Sequence, residues 1–297
     1  MPQVAQYKIA LCQLPVTADK HGNIARARAR IDAAAAAGAK LVVLPEIWNC
    51  PYAMETMPSY AEDIDGGRSP SVSMLSEVAA ARKITIVGGS VPEMASGQLF
   101  NTCCVVGPDG EIKAKHRKLH LFGIDIPGDI TFRESDNFTA GQEPTVVDTD
   151  VGRIGIGICH DIRFPELAML YRSRGAHLIC YPSAFNMSTG QLLWDLMQKS
   201  RFSYLSSPTV LSPFSLFVAT CSPARDPNSP SEFVVWGNSS LIAPFGEVLA
   251  AAGHEDATVI GEIDLSLVEA VRANLPLETQ GRGDLYRLID VQRERSS

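Results

Sequence analysis

The chain has 297 residues, 45% of them hydrophobic and 20% charged, with a formal charge of −7. That composition describes an ordinary soluble globular protein with apolar material for a large core. Net negative charge argues against nucleic acid as the main partner, because phosphate binding needs clustered Lys and Arg, and no run of 18 uninterrupted apolar residues is present to span a membrane.

Taken in chain order, Lys8 to Leu14 reads as a strand, Asn23 to Ala37 as an Ala-rich helix ended by Gly38, and Lys40 to Leu44 as a buried strand that stops on Pro45-Glu46. The first strand begins so early that no targeting leader is expected. A helix is expected over Pro70 to Lys83, then strands over Thr85 to Val91 and Leu99 to Val106. Pro108-Asp109-Gly110 has the chemistry of a hairpin turn into a polar strand from Glu111 to Lys115. Alternating Ile and Gly predict a buried strand from Arg153 to Cys159, followed by a helix from Pro165 to Arg174 and a strand from His177 to Tyr181 that stops on Pro182-Ser183. Then come a helix around Gln191 to Arg201, strands at Leu216 to Thr220, Ser239 to Ala243 and Thr258 to Asp264, a helix from Leu267 to Ala273, and a polar tail that wraps a neighbour or frays. Two strand–helix–strand units, each closing on Pro plus a polar residue, predict two similar halves with facing sheets and helices outside, and no Gly/Ser- or Pro-rich linker divides them, so one domain is expected.

The buried strand ending at Cys159 delivers that thiol to a turn where backbone N–H groups and a helix N-terminus favour a thiolate; the alternative is a structural buried cysteine. The seven cysteines are odd in number and form no C-x-x-C pair, which suits reduced thiols in a cytosol-like compartment. In open α/β architectures ligands bind beyond the carboxyl ends of strands, which singles out Glu46 and Lys118. A carboxylate after Leu41-Val42-Val43-Leu44-Pro45 is costly without a partner or a task, unless it is an exposed rim acid. Lys118 belongs to a basic cluster whose plain reading is a solvated strand. His116 and His120 have helical ligand spacing but fall in a strand without an acidic third ligand, so no zinc site is expected. Gly155-x-Gly157 lacks the third glycine of a dinucleotide loop, since position 160 is His. A Cys159–His160 pair is disfavoured because adjacent side chains on an extended segment point apart.

Leu44-Pro45-Glu46, the run His116 to Phe122 and the run Gly157 to Glu166 together resemble the nitrilase superfamily of carbon–nitrogen hydrolases, and the resemblance extends from Lys8 to about Gln292. Asp125-Ile126-Pro127-Gly128, Thr131 to Ser135, Ala184 to Gly190, Ser222 to Asp226 and Gly283 to Tyr286 are similar to its omega-amidase branch. The resemblance implies a four-layer α-β-β-α sandwich of two facing mixed sheets with pseudo-two-fold halves, a site with no cofactor, a homodimer or larger assembly and a small-molecule amide substrate; with the cysteine pattern, a cytoplasmic location is expected. It implies hydrolysis of the terminal amide of 2-oxoglutaramate or 2-oxosuccinamate to the dicarboxylate and ammonia through a cysteine thioester. Carried onto this chain, it makes Cys159 the nucleophile, Glu46 the general base, Lys118 and the backbone N–H of His160 the oxyanion donors, and Glu134 the group that positions the lysine and substrate. The same resemblance implies that Arg163 faces the substrate carboxylate, with Phe185 and Thr189 lining the pocket. The alternatives are an ion pair of Arg163 with Asp161 or Glu166, and core packing for Phe185.

The chain departs from that branch at His160, Ser183, Asn238 and Gly123, where it usually carries Tyr, Gly, His and Asp. The largest departure is the serine-rich run Phe202 to Ser215, whose Pro208 and Pro213 predict an irregular loop where the branch continues a helix. A member whose site this loop has damaged would bind without catalysis, and another substrate, such as an N-carbamoyl amine, would keep the same chemistry.

Overall fold

Residues 6–126, 130–200, 216–226 and 233–294 are described by a computed structural model. Strands β1 (Gln6–Gln13) and β2 (Ala39–Val43) run parallel and are joined by α1 (Lys20–Ala36), whose first turn is capped by the Asp19 side chain accepting from the Gly22 N–H. On these strands Ile9, Leu11, Leu41 and Val43 enter one core, while Ala10 and Val42 enter another with Ala27 and Ile31 of α1. Successive side chains leave a strand on opposite faces, so a run apolar at every position must be covered on both. Helix α2 (Pro70–Arg82) completes the outer cover through Leu75, Val78 and Ala79; Ser69 caps it and Lys83 ends it in the left-handed region at φ 54°. Next come β3 (Thr85–Val87), parallel to β2, and the antiparallel strands β4 (Val91–Ala95), β5 (Gln98–Val106) and β6 (Ile112–Arg117).

A short hairpin of β7 (Gly123–Ile126) and β8 (Ile130–Arg133) leads to β9 (Thr145–Thr149) and β10 (Gly152–Ile156). Helix α3 (Pro165–Ser173) crosses to β11 (Leu178–Pro182), parallel to β10, and repeats the β1-α1-β2 grammar. Gly155 lets α3 approach closely, because a Cβ there would lie 2.6 Å from Tyr171 Cδ2. Helix α4 (Met187–Ser200), β12 (Phe217–Cys221), β13 (Ser240–Ile242) and β14 (Val248–Ala251) extend this second sheet. Strand β15 (Ala257–Asp264) then returns to pair antiparallel with β1, and α5 (Leu265–Asn274) follows. The strand orders are β15-β1-β2-β3-β5-β4, with β6 beside β5, and β14-β13-β12-β11-β10-β9. Ile154, Ile156 and Leu178 share the core of Ile9 and Leu41, so the two mixed sheets face each other, giving the expected sandwich.

The expected strand Thr85 to Val91 is in fact two strands. It breaks at Gly88-Gly89, where Gly89 takes φ +64° and a Cβ would lie 2.2 Å from the Pro45 carbonyl oxygen. Strands β7, β8, β9 and β14 had no counterpart in the sequence reading. The tail returns to the body: Arg174 donates to both oxygens of Asp290 at 2.8 and 2.9 Å, and Gln292 donates to the Gln142 carbonyl. The run 202–215 lies outside the described residues.

Candidate active site

Strand β2 ends on Leu44-Pro45-Glu46, and Glu46 is fully buried. Its Oε1 accepts from Asn101 Nδ2 of β5 at 2.8 Å and from Lys118 Nζ at 2.9 Å. Lys118 follows the last residue of β6, and its backbone N–H is tied to the Asn101 carbonyl at 2.9 Å. Its side chain is also fully buried and donates a second bond, 2.8 Å, to Glu134 Oε1. Glu134 stands at the start of a 3-10 turn after β8 and accepts two further bonds, from the Tyr52 hydroxyl and, at 2.7 Å, from the Phe122 N–H. The plain readings of an exposed rim acid and a solvated basic strand are therefore overturned. Two carboxylates and one ammonium are held out of water, where each ion costs several kcal/mol unless its partners compensate. Perturbed groups arranged in this way make the cluster a candidate functional site.

Burial raises the Glu46 pKa, the ammonium of Lys118 lowers it and the charge of Glu134 raises it again; Glu46 Oε2 is buried with no hydrogen-bond partner among the described residues. Burial works against the Lys118 charge, but Glu134 and Glu46 more than offset it and keep the ammonium protonated.

Cys159 opens a 3-10 turn, Cys159–Arg163, and takes φ +46°, a left-handed conformation rare for a residue with a Cβ. Burial first, and then the Glu46 carboxylate, push the Cys159 thiol well above its usual range, against smaller opposing effects of Lys118 and the Ala184 backbone. This corrects the expectation that the turn favours a thiolate: desolvation and the adjacent negative charge outweigh the N–H groups, and the resting group is a thiol.

The two histidines do have an acidic neighbour, contrary to the sequence reading. Asp161, fully buried, accepts from the Ile158 N–H at 2.8 Å, the His120 N–H at 2.9 Å, His120 Nδ1 at 2.7 Å and His116 Nε2 at 3.3 Å. Burial opposes its charge, yet these donors hold the carboxyl below the usual range. Among the described residues no group of three His, Cys, Asp or Glu could hold a metal ion.

Arg163 forms no ion pair with Asp161 or Glu166; its guanidinium lies 5.4 Å from the centre of the Phe185 ring, and its buried Nε has no hydrogen-bond partner among the described residues. Burial lowers its pKa and the Cys159 sulfur raises it. Arg163, Cys159, His160, Phe185, Asn186 and Thr189 line one pocket together with Tyr52, Phe122, Ala184 and Phe233. A neighbouring cavity of about 60 Å³ is lined by Glu46 and shares Tyr52, Ala184 and Phe233, so acid and thiol are reached from adjoining spaces. Phe185 does both things weighed for it, meeting Trp194 edge-on at 5.2 Å while bounding the pocket. The Thr189 N–H and hydroxyl both donate to the Asn186 side chain. His160 also faces this pocket, its pKa pushed down to about 4 by burial and by the Lys118 and Arg163 charges. Of the departures from the branch pattern, Ser183 is buried and bonds the Tyr181 carbonyl at 3.1 Å, and Asn238 takes φ +61°.

The sequence reading missed Tyr52, Asn101 and Asp161. Asn101 carried a signal, as a polar residue inside the apolar run of β5; Tyr52 carried none beyond its place after Pro51.

Comparison with known proteins matches residues 8–273 to the carbon–nitrogen hydrolase family. The chain is 59% identical to the chloroplastic omega-amidase of Arabidopsis thaliana, covering 98% of this chain and 77% of the relative. It is 45% identical to the human omega-amidase NIT2, covering 95% and 98%. Its fold superimposes on that of Saccharomyces cerevisiae Nit3, a member of branch 10 of the nitrilase superfamily, with a TM-score of 0.82 at 37% identity, covering 93% of this chain and 96% of the other. The chain belongs to the carbon–nitrogen hydrolase family and, within the nitrilase superfamily, to the omega-amidase branch.

Proposed function

We infer that this chain is an omega-amidase that hydrolyses the terminal amide of 2-oxo dicarboxylic acid monoamides, 2-oxoglutaramate and 2-oxosuccinamate, to dicarboxylate and ammonia. The observation that carries the reading is one buried ammonium, Lys118, bonded to two buried carboxylates beside a thiol, with Arg163 free of any acidic partner among the described residues in the adjoining pocket.

An amide is a poor electrophile, so the reaction is easier as two steps through a thioester. Cys159 Sγ attacks the carbonyl carbon while Glu46, through its unpartnered oxygen, takes the thiol proton. Proton transfer of this kind, as general base catalysis, contributes roughly 10²–10⁴ in rate. The tetrahedral oxyanion is met by the Lys118 ammonium and by the His160 N–H, which makes no hydrogen bond to a described residue. Loss of one such donor typically costs about 3 kcal/mol. Glu46 then gives its proton to the departing amine, ammonia leaves, and the same carboxylate deprotonates the water that cleaves the thioester. Glu134 fixes the ammonium from its other side. Arg163 offers a planar, charged fork to the distal carboxylate, which favours an acid-bearing amide over an N-carbamoyl amine; Phe185 and Thr189 shape the pocket around it.

The core shared by the two sheets supports one domain over residues 8–292. A homodimer is the assembly we propose, with the exposed apolar Leu192 and Leu196 of α4 as contact residues; light scattering should give twice the chain mass, and a monomer mass would overturn it. Seven free, buried cysteines suit the reducing cytoplasm, and no helix among the described residues is long and apolar enough to cross a membrane. The function is tested by ammonia release from 2-oxoglutaramate, expected for the wild-type protein and abolished in Cys159→Ala; wild-type turnover no greater than the variant's overturns it.

A further inference from the structure

The buried hydrogen bonds converging on Asp161 serve no step of the reaction above, yet they join its two halves. Asp161 closes the nucleophile's turn on itself: its Oδ2 accepts from the Ile158 N–H at 2.8 Å, and its own N–H donates to the Ile158 carbonyl at 3.0 Å. The two residues enclosed between them are Cys159 and His160, and the left-handed backbone of Cys159 costs roughly 1–2 kcal/mol and needs such enforcement. The remaining bonds of the carboxylate reach the segment that carries Lys118, through the His120 N–H and Nδ1 on one side and His116 Nε2 on the other.

We propose that Asp161, held by His116 and His120, is a positioning residue that fixes the Cys159 turn and locks it in register with the Lys118 segment. A proton on His116 Nε2 and one on His120 Nδ1 satisfy both ring contacts with the carboxylate, and His116 Nδ1 lies 3.0 Å from the Thr145 hydroxyl. The His120 ring is stacked on Phe164 of the same turn, centroids 3.6 Å apart and 11° from parallel, so both its edge and its face locate the turn. An apolar shell alone would leave the separation of sulfur and ammonium to side-chain packing; four donors on one carboxylate set it through the backbone. A misplacement of about 1 Å in such a constellation costs up to 10²-fold in rate.

The proposal rests on the reading of Cys159 as nucleophile, and the two fail differently: turnover retained in Cys159→Ala sinks that reading, whereas the histidine variants address only the anchor. His120→Phe keeps a ring on Phe164 and removes the Nδ1 donor; His120→Asn restores an N–H near the same place; His116→Gln does so for Nε2, and His116→Leu does not. With 2-oxoglutaramate as substrate, His120→Phe and His116→Leu are expected to lose roughly ten- to a hundredfold in kcat with KM within about threefold, and the Asn and Gln variants to recover most of it. Thermal unfolding is read in parallel, and the comparison is made between variants of equal melting temperature; if His116→Leu does not fold, the partly exposed His120 pair decides. Wild-type kcat in His120→Phe, or Asn and Gln variants no better than Phe and Leu, overturns the proposal.

Discussion

Replacing Glu134 by Gln separates its charge from its shape. The carboxylate accepts from Lys118 Nζ at 2.8 Å and from the Tyr52 hydroxyl on one oxygen, and from the Phe122 N–H at 2.7 Å on the other. A glutamine has one acceptor oxygen and one amino group, so whichever way it turns, its N–H₂ meets at least one of these donors. One bond is lost and the rest fall from charge-assisted strength, about 1.5–3 kcal/mol, to neutral strength, about 0.5–1.5 kcal/mol. The combined cost is about 4 kcal/mol, which lowers the melting temperature by roughly 6 °C in a chain of this size. The electrostatics add a sign that packing alone would not give. Glu134's charge raises the pKa of both Glu46 and Cys159, so its removal lowers both. The base must be ionised to act; the acid limb of kcat for ammonia release therefore moves to lower pH in Glu134→Gln, while its plateau falls tens- to a hundredfold because Lys118 loses its second anchor. An acid limb that moves to higher pH, or an unchanged plateau, would refute the reasoning.

Two further predictions concern the pocket. Arg163→Met removes the cation offered to the distal carboxylate, worth about 1.5–3 kcal/mol; KM for 2-oxoglutaramate should rise ten- to a hundredfold, while kcat/KM for a neutral amide of equal length stays within a few-fold. Equal losses on both substrates would place Arg163 outside recognition. His160, pushed down from about 6.5 to about 4, stays neutral in the fold while the unfolded chain takes up a proton below pH 6.5. Stability is thus lost as pH falls through that window, and His160→Tyr, which does not titrate there, should lose less melting temperature between pH 7 and pH 5 than wild type.

Much of the fold was legible because both faces of its central strands are covered. Runs such as Leu41 to Leu44 and Ile154 to Ile158 are apolar at every position, and two of the helices announce themselves with a proline at the start, Pro70 and Pro165. What escaped was set by tertiary contact. Gly88-Gly89 reads as part of a strand until the Pro45 carbonyl is seen against it, and β7, β8, β9 and β14 are short, with sequences that do not separate strand from loop. The positions of Glu46, Lys118 and Cys159 followed from strand ends, but their burial did not, since an isolated charge is usually exposed. The thiol's high pKa was misjudged for the same reason: turn chemistry is local, whereas the desolvation and the Glu46 charge come from across the sheets. Asp161 was weighed only as a partner for Arg163, because nothing in linear order shows that His116 and His120, some forty residues earlier, meet it.

The central claim is covalent, and its most direct test is rapid-quench mass spectrometry of the protein mixed with 2-oxoglutaramate. An acyl adduct should form on the peptide carrying Cys159, decay as the dicarboxylate is released, and be absent from Cys159→Ala along with turnover. Turnover persisting in that variant, or an adduct on one of the other six cysteines with Cys159 unmodified, would contradict it.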